Sequence, residues 1–355
     1  MSESVEVWEE PVRGASFPPH LFGLSGIDQL RAFLSGRALP PPIRYLTGMM
    51  PTEVGMGSAT FTMPITGWLR SPQGPVVGGA VAILADGPLG SAIQSTLPPA
   101  TPYTTSELSL NLVRPVPGEG ILVARGRLVH GGRRLALSEV FITDSDGRLI
   151  AHGTSRCVIL PSIADLPAPS GDPAPAGVTL DGWVPPFERP PRGEIVDQSV
   201  FAARSGLDVM RAHVSGDLPA PPLSRLFGSR PTDAGEGTCT FVMPATGWLC
   251  SPSGFVEGGV IACLADIALG GAVQTTLPAG SALAPTDLRV QFIRPVQPDG
   301  RRLEARAMVV HRGRSLAVAR ADIMNAEGKL AAIASGSAVI LPGRRADLRD
   351  APPLG

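Results

Sequence analysis

The stretch FTMPITGWLRSPQGPVVGGAVAILADGPLGSAIQSTLPPA at 61–100 returns at 241–280 as FVMPATGWLCSPSGFVEGGVIACLADIALGGAVQTTLPAG, an offset of 180 with no gap. The two agree at 24 of 40 positions, where unrelated segments would agree at about two or three, so one unit is present twice. The register extends outward on both sides. Gly26-Ile27-Asp28 matches Gly206-Leu207-Asp208, Gly48 matches Gly228, and Arg114-Pro115 matches Arg294-Pro295. Past a one-residue insertion, Val129-His130 matches Val310-His311. A length of 355 residues suits two domains. The first is expected over 1–165, with an N-terminal helical extension, and the second over 193–345. Between them, 166–192 is rich in proline, which fixes φ and removes a backbone donor, and reads as a semi-rigid linker.

Within one unit, Ile27, Leu30, Phe33 and Leu34 have helical spacing, with Ser25 as cap and Gly36 as stop. Ala59, Phe61, Met63 and Ile65 alternate with polar residues, which predicts a strand over 57–65. The run from Val77 to Asp86 is apolar on every side, and small residues continue it. That pattern predicts a buried central helix approached closely by a sheet. Strand patterns follow at 105–113, 121–130, 134–143 and 149–159, the last two joined by the turn Asp144-Ser145-Asp146-Gly147. Each unit is therefore expected to be α+β, a curved antiparallel sheet wrapped around one long helix. The free edge of such a sheet is a place for a second unit to pair.

Composition narrows the function. Apolar residues make up 43% of the chain and charged residues 17%, with Lys+Arg 30 against Asp+Glu 31. That balance gives no general attraction to nucleic acid or an anionic membrane. Cys157, Cys239, Cys250 and Cys263 have no CxxC spacing and read as buried thiols, with no metal set. The acidic start MSESVEVWEE lacks a signal-peptide pattern, and no apolar run reaches spanning length, so a cytoplasmic location is expected.

Two carboxylates stand out. Asp86 and Asp266 lie inside otherwise apolar helices, where an acid is costly to bury unless it is hydrogen-bonded or used. Gly78-Gly79 and Gly258-Gly259 mark the first helical turn, whose backbone N–H groups can receive negative charge on an oxygen. The same glycines could equally permit close packing of helix on sheet.

The ordered set Gly-Gly-x(5)-Ala-Asp, Leu-x(5)-Arg-Pro and Val-His-x-Gly-Arg-x-Leu-Ala, present twice, resembles the PaaI-type acyl-CoA thioesterases of the hotdog fold. The resemblance covers about two thirds of the chain, over 45–160 and 225–341. It implies two tandem hotdog domains with active sites at the seam between them, and hydrolysis of acyl-CoA with Asp86 and Asp266 as base or nucleophile. It assigns the oxyanion site to Gly78 and Gly258, and places a hydroxyl residue, here Thr105, across the interface; the second copy has Pro285 instead. On that pattern Gly258, Asp266 and Thr105 would make the competent site, and Gly78, Asp86 and Pro285 a weaker one. The chain departs from its relatives at Val77 and Glu257, where His is usual, and at Ser71 and Ser251, where Asn is usual. Pro88 is expected to interrupt the first central helix. Arg133, Arg134, Arg312 and Arg314 are candidates for the CoA phosphates. No cofactor is implied beyond the CoA of the substrate, and relatives suggest a homodimer of double-hotdog chains. A non-catalytic acyl-CoA-binding protein is the alternative.

Overall fold

A computed structural model describes residues 5–163 and 182–343. The first half runs α1 (Gly26–Leu34), α2 (Pro42–Thr47), β1 (Met50–Gly55), β2 (Ser58–Pro64), α3 (Gly79–Gln94), β3 (Tyr103–Leu112), β4 (Ile121–Gly131), β5 (Leu135–Thr143) and β6 (Leu149–Ile159). The second half begins with α4 (Gln198–Ala203) and repeats the series as α5 (Gly206–Ser215), α6 (Pro222–Phe227), β7 (Arg230–Gly235), β8 (Thr238–Pro244), α7 (Gly258–Gln274), β9 (Ser281–Phe292), β10 (Arg302–Arg312), β11 (Leu316–Met324) and β12 (Leu330–Pro342).

All strands join one 12-stranded sheet in the order β1-β2-β4-β5-β6-β3-β9-β12-β11-β10-β8-β7. The halves meet where β3 pairs antiparallel with β9, with Leu110 opposite Leu288 and Ser109 opposite Arg289. Ser109 and Arg289 are themselves 180 residues apart (289 − 109), so the pseudo-twofold axis passes through that pair. The free edge of each half-sheet is thus closed by its copy. β1, by contrast, is an outer edge strand with a bulge between Pro51 and Glu53. Its residues, half of them exposed and none buried, carry no alternation, which hides it in the sequence.

The central helices fill the concave side, and the first half's helix is buried along almost its whole length. Pro88 does not interrupt α3, which continues to Gln94, correcting the expectation from its sequence. The sheet makes room for the proline turn. A Cβ on Gly126 of β4 would stand 2.5 Å from the Pro88 carbonyl oxygen. The residue in the same register of β10 is Ala307. Ser25 and Ser205 cap α1 and α5 by accepting from the Asp28 and Asp208 backbone N–H.

Residues 166–181 of the expected linker lie outside the described residues. The remainder is a structured arm that crosses to the other half. The 3-10 turn Pro186–Glu188 precedes Arg189, whose carbonyl accepts from the Trp68 indole N–H at 3.0 Å. The N-terminal turn Val7–Glu9 does the same in reverse, with the Glu10 carbonyl accepting from Trp248 at 2.9 Å. Gly14 and Gly193, at φ +91° and +93°, let each arm turn against the backbone of 40–42 or 220–222, a left-handed geometry that favours glycine. Each arm then bonds the loop before the other half's central helix: Phe17 N donates to Pro252 O and Val196 N to Pro72 O. Trp68 and Trp248, fully buried, are anchors for these arms.

Candidate active site at the seam

The central helices cross antiparallel at their first turns, and glycine makes the crossing possible. A Cβ on Gly79 would stand 2.8 Å from Cys263 Cα, and one on Gly259 would stand 2.6 Å from Ile83 Cα. This approach aims each helix's aspartate at the start of the other helix. Asp266 Oδ2 accepts from the Gly79 N–H at 2.7 Å, and Asp86 Oδ2 accepts from the Gly259 N–H at 2.9 Å. The positive end of a helix favours a carboxylate there, whereas burial opposes its charge. Both acids are less than a tenth exposed. Burial wins at Asp266, raising its carboxyl from 3.8 to about 6 against the pull of the Gly79 hydrogen bond.

This geometry re-sorts the expected sites. Asp266 stands with Gly78 and Gly79, not with Gly258, and Asp86 stands with Gly258 and Gly259. The neighbouring strand residue comes from the same half as the aspartate. Pro285 lines the space beside Asp266. Thr105 sits on the Asp86 side, its hydroxyl 3.8 Å from Cys157 Sγ. The Cys157 thiol is pushed up to about 11, first by burial and further by the Asp86 charge. The swapped pairing of Asp266 with Thr105 is therefore corrected: the glycines cross the seam and the strands do not.

The two glycines of the first pair also part company. Gly79 and Gly259 serve packing and bind the opposite acid. The Gly78 N–H makes no hydrogen bond among the described residues. Gly78 lines a cleft of about 200 Å³ built from both halves. Ser71 to Gly78 of the first half form one wall, and Met210, Phe241, Asp266, Ile267 and Leu283 of the second half form much of the other. Methyl addition at Gly78 would place a carbon 3.5 Å from Asp266 Oδ2, so an open donor and a carboxylate share one corner of an apolar space.

The Asp86 side is closed by its own chemistry. The Gly259 N–H bonds Asp86, with the Gly258 N–H and the Glu257 carboxyl beside it. Burial raises Asp86, while these three donors pull it down. Burial, then the Asp86 charge, drive Glu257 well above the ordinary range. Glu257 is thus the partner that keeps the proton and donates it to Asp86. Its Oε2 is buried without a partner. At the corresponding place beside Asp266 stands Val77.

The four arginines do not join the cleft. Arg133 and Arg134 occupy the turn between β4 and β5 and are exposed. Arg312 bonds Thr276 and Gly313, past the end of α7, and Arg314 lies in the next turn. Arg114 and Arg294 are structural, each donating to a carbonyl at the start of the neighbouring strand, Leu149 O and Leu330 O. Two cleft residues escaped the sequence reading. His213 and Gln274 both line the Asp266 cleft. A lone histidine without a counterpart at Phe33 was the signal for the first; the second needed the contrast between halves described below. The crossing arms also had a signal, Glu9-x-Pro11-x-Arg13-Gly14 against Glu188-x-Pro190-x-Arg192-Gly193, at an offset of 179 rather than 180.

A model of the thioesterase superfamily matches residues 73–151 and again 253–332. No curated protein matches the chain. A solved tesB protein from Mycobacterium avium subspecies paratuberculosis is similar over 90% of this chain and 100% of its own, at 14% identity and a TM-score of 0.53. A hot dog fold protein of unknown function from Alicyclobacillus acidocaldarius is similar over 84% of this chain and 97% of its own, at 13% identity and a TM-score of 0.51. At these identities the solved structures speak to the fold, and both span the two halves. Among the described residues no helix is long and apolar enough to cross a membrane. With a thioesterase-superfamily match in each half and the sheet-wrapped helix built twice, the chain is a tandem double-hotdog fold whose two halves are each similar to that superfamily.

Proposed function

We propose that the chain hydrolyses acyl-CoA thioesters at the Asp266 side of its seam. The observation that carries this is the open Gly78 N–H beside a carboxylate of raised pKa, in a cleft with apolar walls. The thioester carbonyl oxygen points at the Gly78 N–H, where negative charge develops in the transition state. Asp266, held by Gly79 through Oδ2, takes a proton from water through its other oxygen. The water oxygen bonds to the carbonyl carbon, the C–S bond breaks, and Asp266 returns the proton to the departing thiolate. The products are the free acid and CoA. Every group in this scheme belongs to one chain, so turnover per chain is independent of any further assembly.

Release of free thiol from short, medium, long and aromatic acyl-CoAs tests the reading. A base must be ionised to accept a proton, so kcat rises with pH through about 6 and levels above it. Absence of thiol release across the panel, or a rate that is flat through that range, sinks the proposal.

A further inference from the structure

The cleft ends in an amide that its copy does not leave open. In the first half, Gln94 at the end of α3 donates to Gln29 Oε1 at 3.0 Å, and Gln29 donates to the Leu24 carbonyl at 3.0 Å. That chain of bonds ends on a backbone carbonyl. The second half keeps the glutamine as Gln274 but has Val209 in the place of Gln29. Gln274 is 6% exposed, lines the Asp266 cleft, and its side chain bonds nothing among the described residues. Its amide atoms are not among the fully sealed, unpartnered ones. A primary amide offers two donors and two acceptor sites, and at 6% exposure, in a cleft also lined by Met210, Phe241 and Leu283, few of them are met. Such a group stays in an apolar wall when something polar meets it there.

We infer that Gln274 reads an uncharged hydroxyl or oxo group carried on the acyl chain of the substrate, an inference that rests on the cleft's holding an acyl chain as proposed above. Its place sets the distance. Asp266 and Gln274 lie on one helix eight residues apart (274 − 266), on the order of 12 Å along its axis. The polar group therefore sits well out along a medium-length chain, remote from the thioester. Charge narrows the class further. No Lys or Arg is among the residues lining the cleft, and its acid is Asp266. A carboxylate tail would find no counter-charge and would be repelled. His213 lines the same cleft with its Nε2 buried and unpartnered, and burial holds its imidazole below the usual range, so it brings no counter-charge either.

Binding to the D266N variant of the full chain tests this without turnover, using saturated medium-chain acyl-CoAs and their ω-hydroxy counterparts of equal length. The hydroxylated member of the best pair is expected to bind about tenfold tighter, the worth of one well-placed hydrogen bond. In the D266N background, Q274L brings that ratio to about one. V209Q does the same by rebuilding the Gln–Gln pair of the first half while leaving Gln274 in place. A ratio near one in D266N itself, or a ratio that survives both further substitutions, overturns the inference. If the ratio behaves as expected while the unsubstituted chain releases no thiol, the hydrolase reading fails and the recognition stands.

Discussion

Around Asp266 the first turn of α3 leaves the Gly78 N–H facing a cleft, whereas around Asp86 the Gly259 N–H, the nearby Gly258 N–H and the Glu257 carboxyl all crowd onto the acid. The two places are built from matching residues at a single crossing of two helices, and they differ chiefly in what precedes the glycine pair. Val77 leaves Asp266 with one backbone bond and an oxygen to spare. Glu257 adds a second carboxyl to Asp86, and two buried acids must share a proton. A duplicated chain can keep one seam open for chemistry and use the other to tie the helices together. One side chain beside the crossing is enough to separate the two outcomes, because the helix ends offer only a few free donors.

The largest effect that would sharpen or break this contrast is at the acids. D266N is expected to lower kcat for acyl-CoA about a thousandfold, the scale of losing a general base, while D86N changes it by less than about threefold. Equal losses in a thiol-release assay would mean that both seams work. Next is the open donor. Gly78 has φ −56°, which proline adopts, and proline is tolerated at a helix start, so G78P deletes the N–H while asking the end of the Leu112 side chain to give way, and G78A, which makes the same demand and keeps the N–H, is its control. A drop of about a hundredfold in kcat is expected. An unchanged kcat would remove Gly78 from the oxyanion role.

The smallest effect is on stability at the closed seam. Glu257 and Asp86 hold their protons more tightly in the fold than in the unfolded chain. The folded state then binds more protons than the unfolded state above the usual carboxylate range, so stability falls as pH rises through that window. E257Q keeps a donor for Asp86 and removes one of the two acids. Between about pH 5 and about pH 8 its Tm should fall by about 2–4 °C less than that of the parent chain, a shift of the size one kcal/mol gives in domains of this order. Parallel Tm curves would show that the pair carries no such cost.

The outline of each half was readable because burial imposes a period. The all-apolar run into Asp86 predicted α3, though not its passage through Pro88 to Gln94, and the alternation at Phe61, Met63 and Ile65 predicted β2 to within a residue. β1 was not readable, since an edge strand containing Pro51 and facing solvent needs no alternation. The arm before the second half was read as linker, and the N-terminal arm as part of a helical extension, because prolines forbid regular structure but do not forbid docking. Their anchors are single contacts, such as Arg189 O on Trp68, that leave little pattern in a composition.

For the site, the residue types were legible and their grouping was not. A lone aspartate in a greasy helix marks itself, and so does a glycine pair at the start of that helix. Which aspartate meets which glycines depends on how two helices some 180 residues apart cross, and a repeat with near-equal copies gives the same local signal for either choice. The antiparallel crossing at Gly79 and Gly259 settled it, because only there can two backbones approach closely enough for each acid to reach the opposite helix end. The amino-acid order alone determined that there are two units, each a sheet around a buried helix with one acid inside. The tertiary structure decided that the acids trade helices, that one seam is open and the other shut, and that Gln274 is left facing the open one, since each of these turns on contacts between residues far apart in the chain.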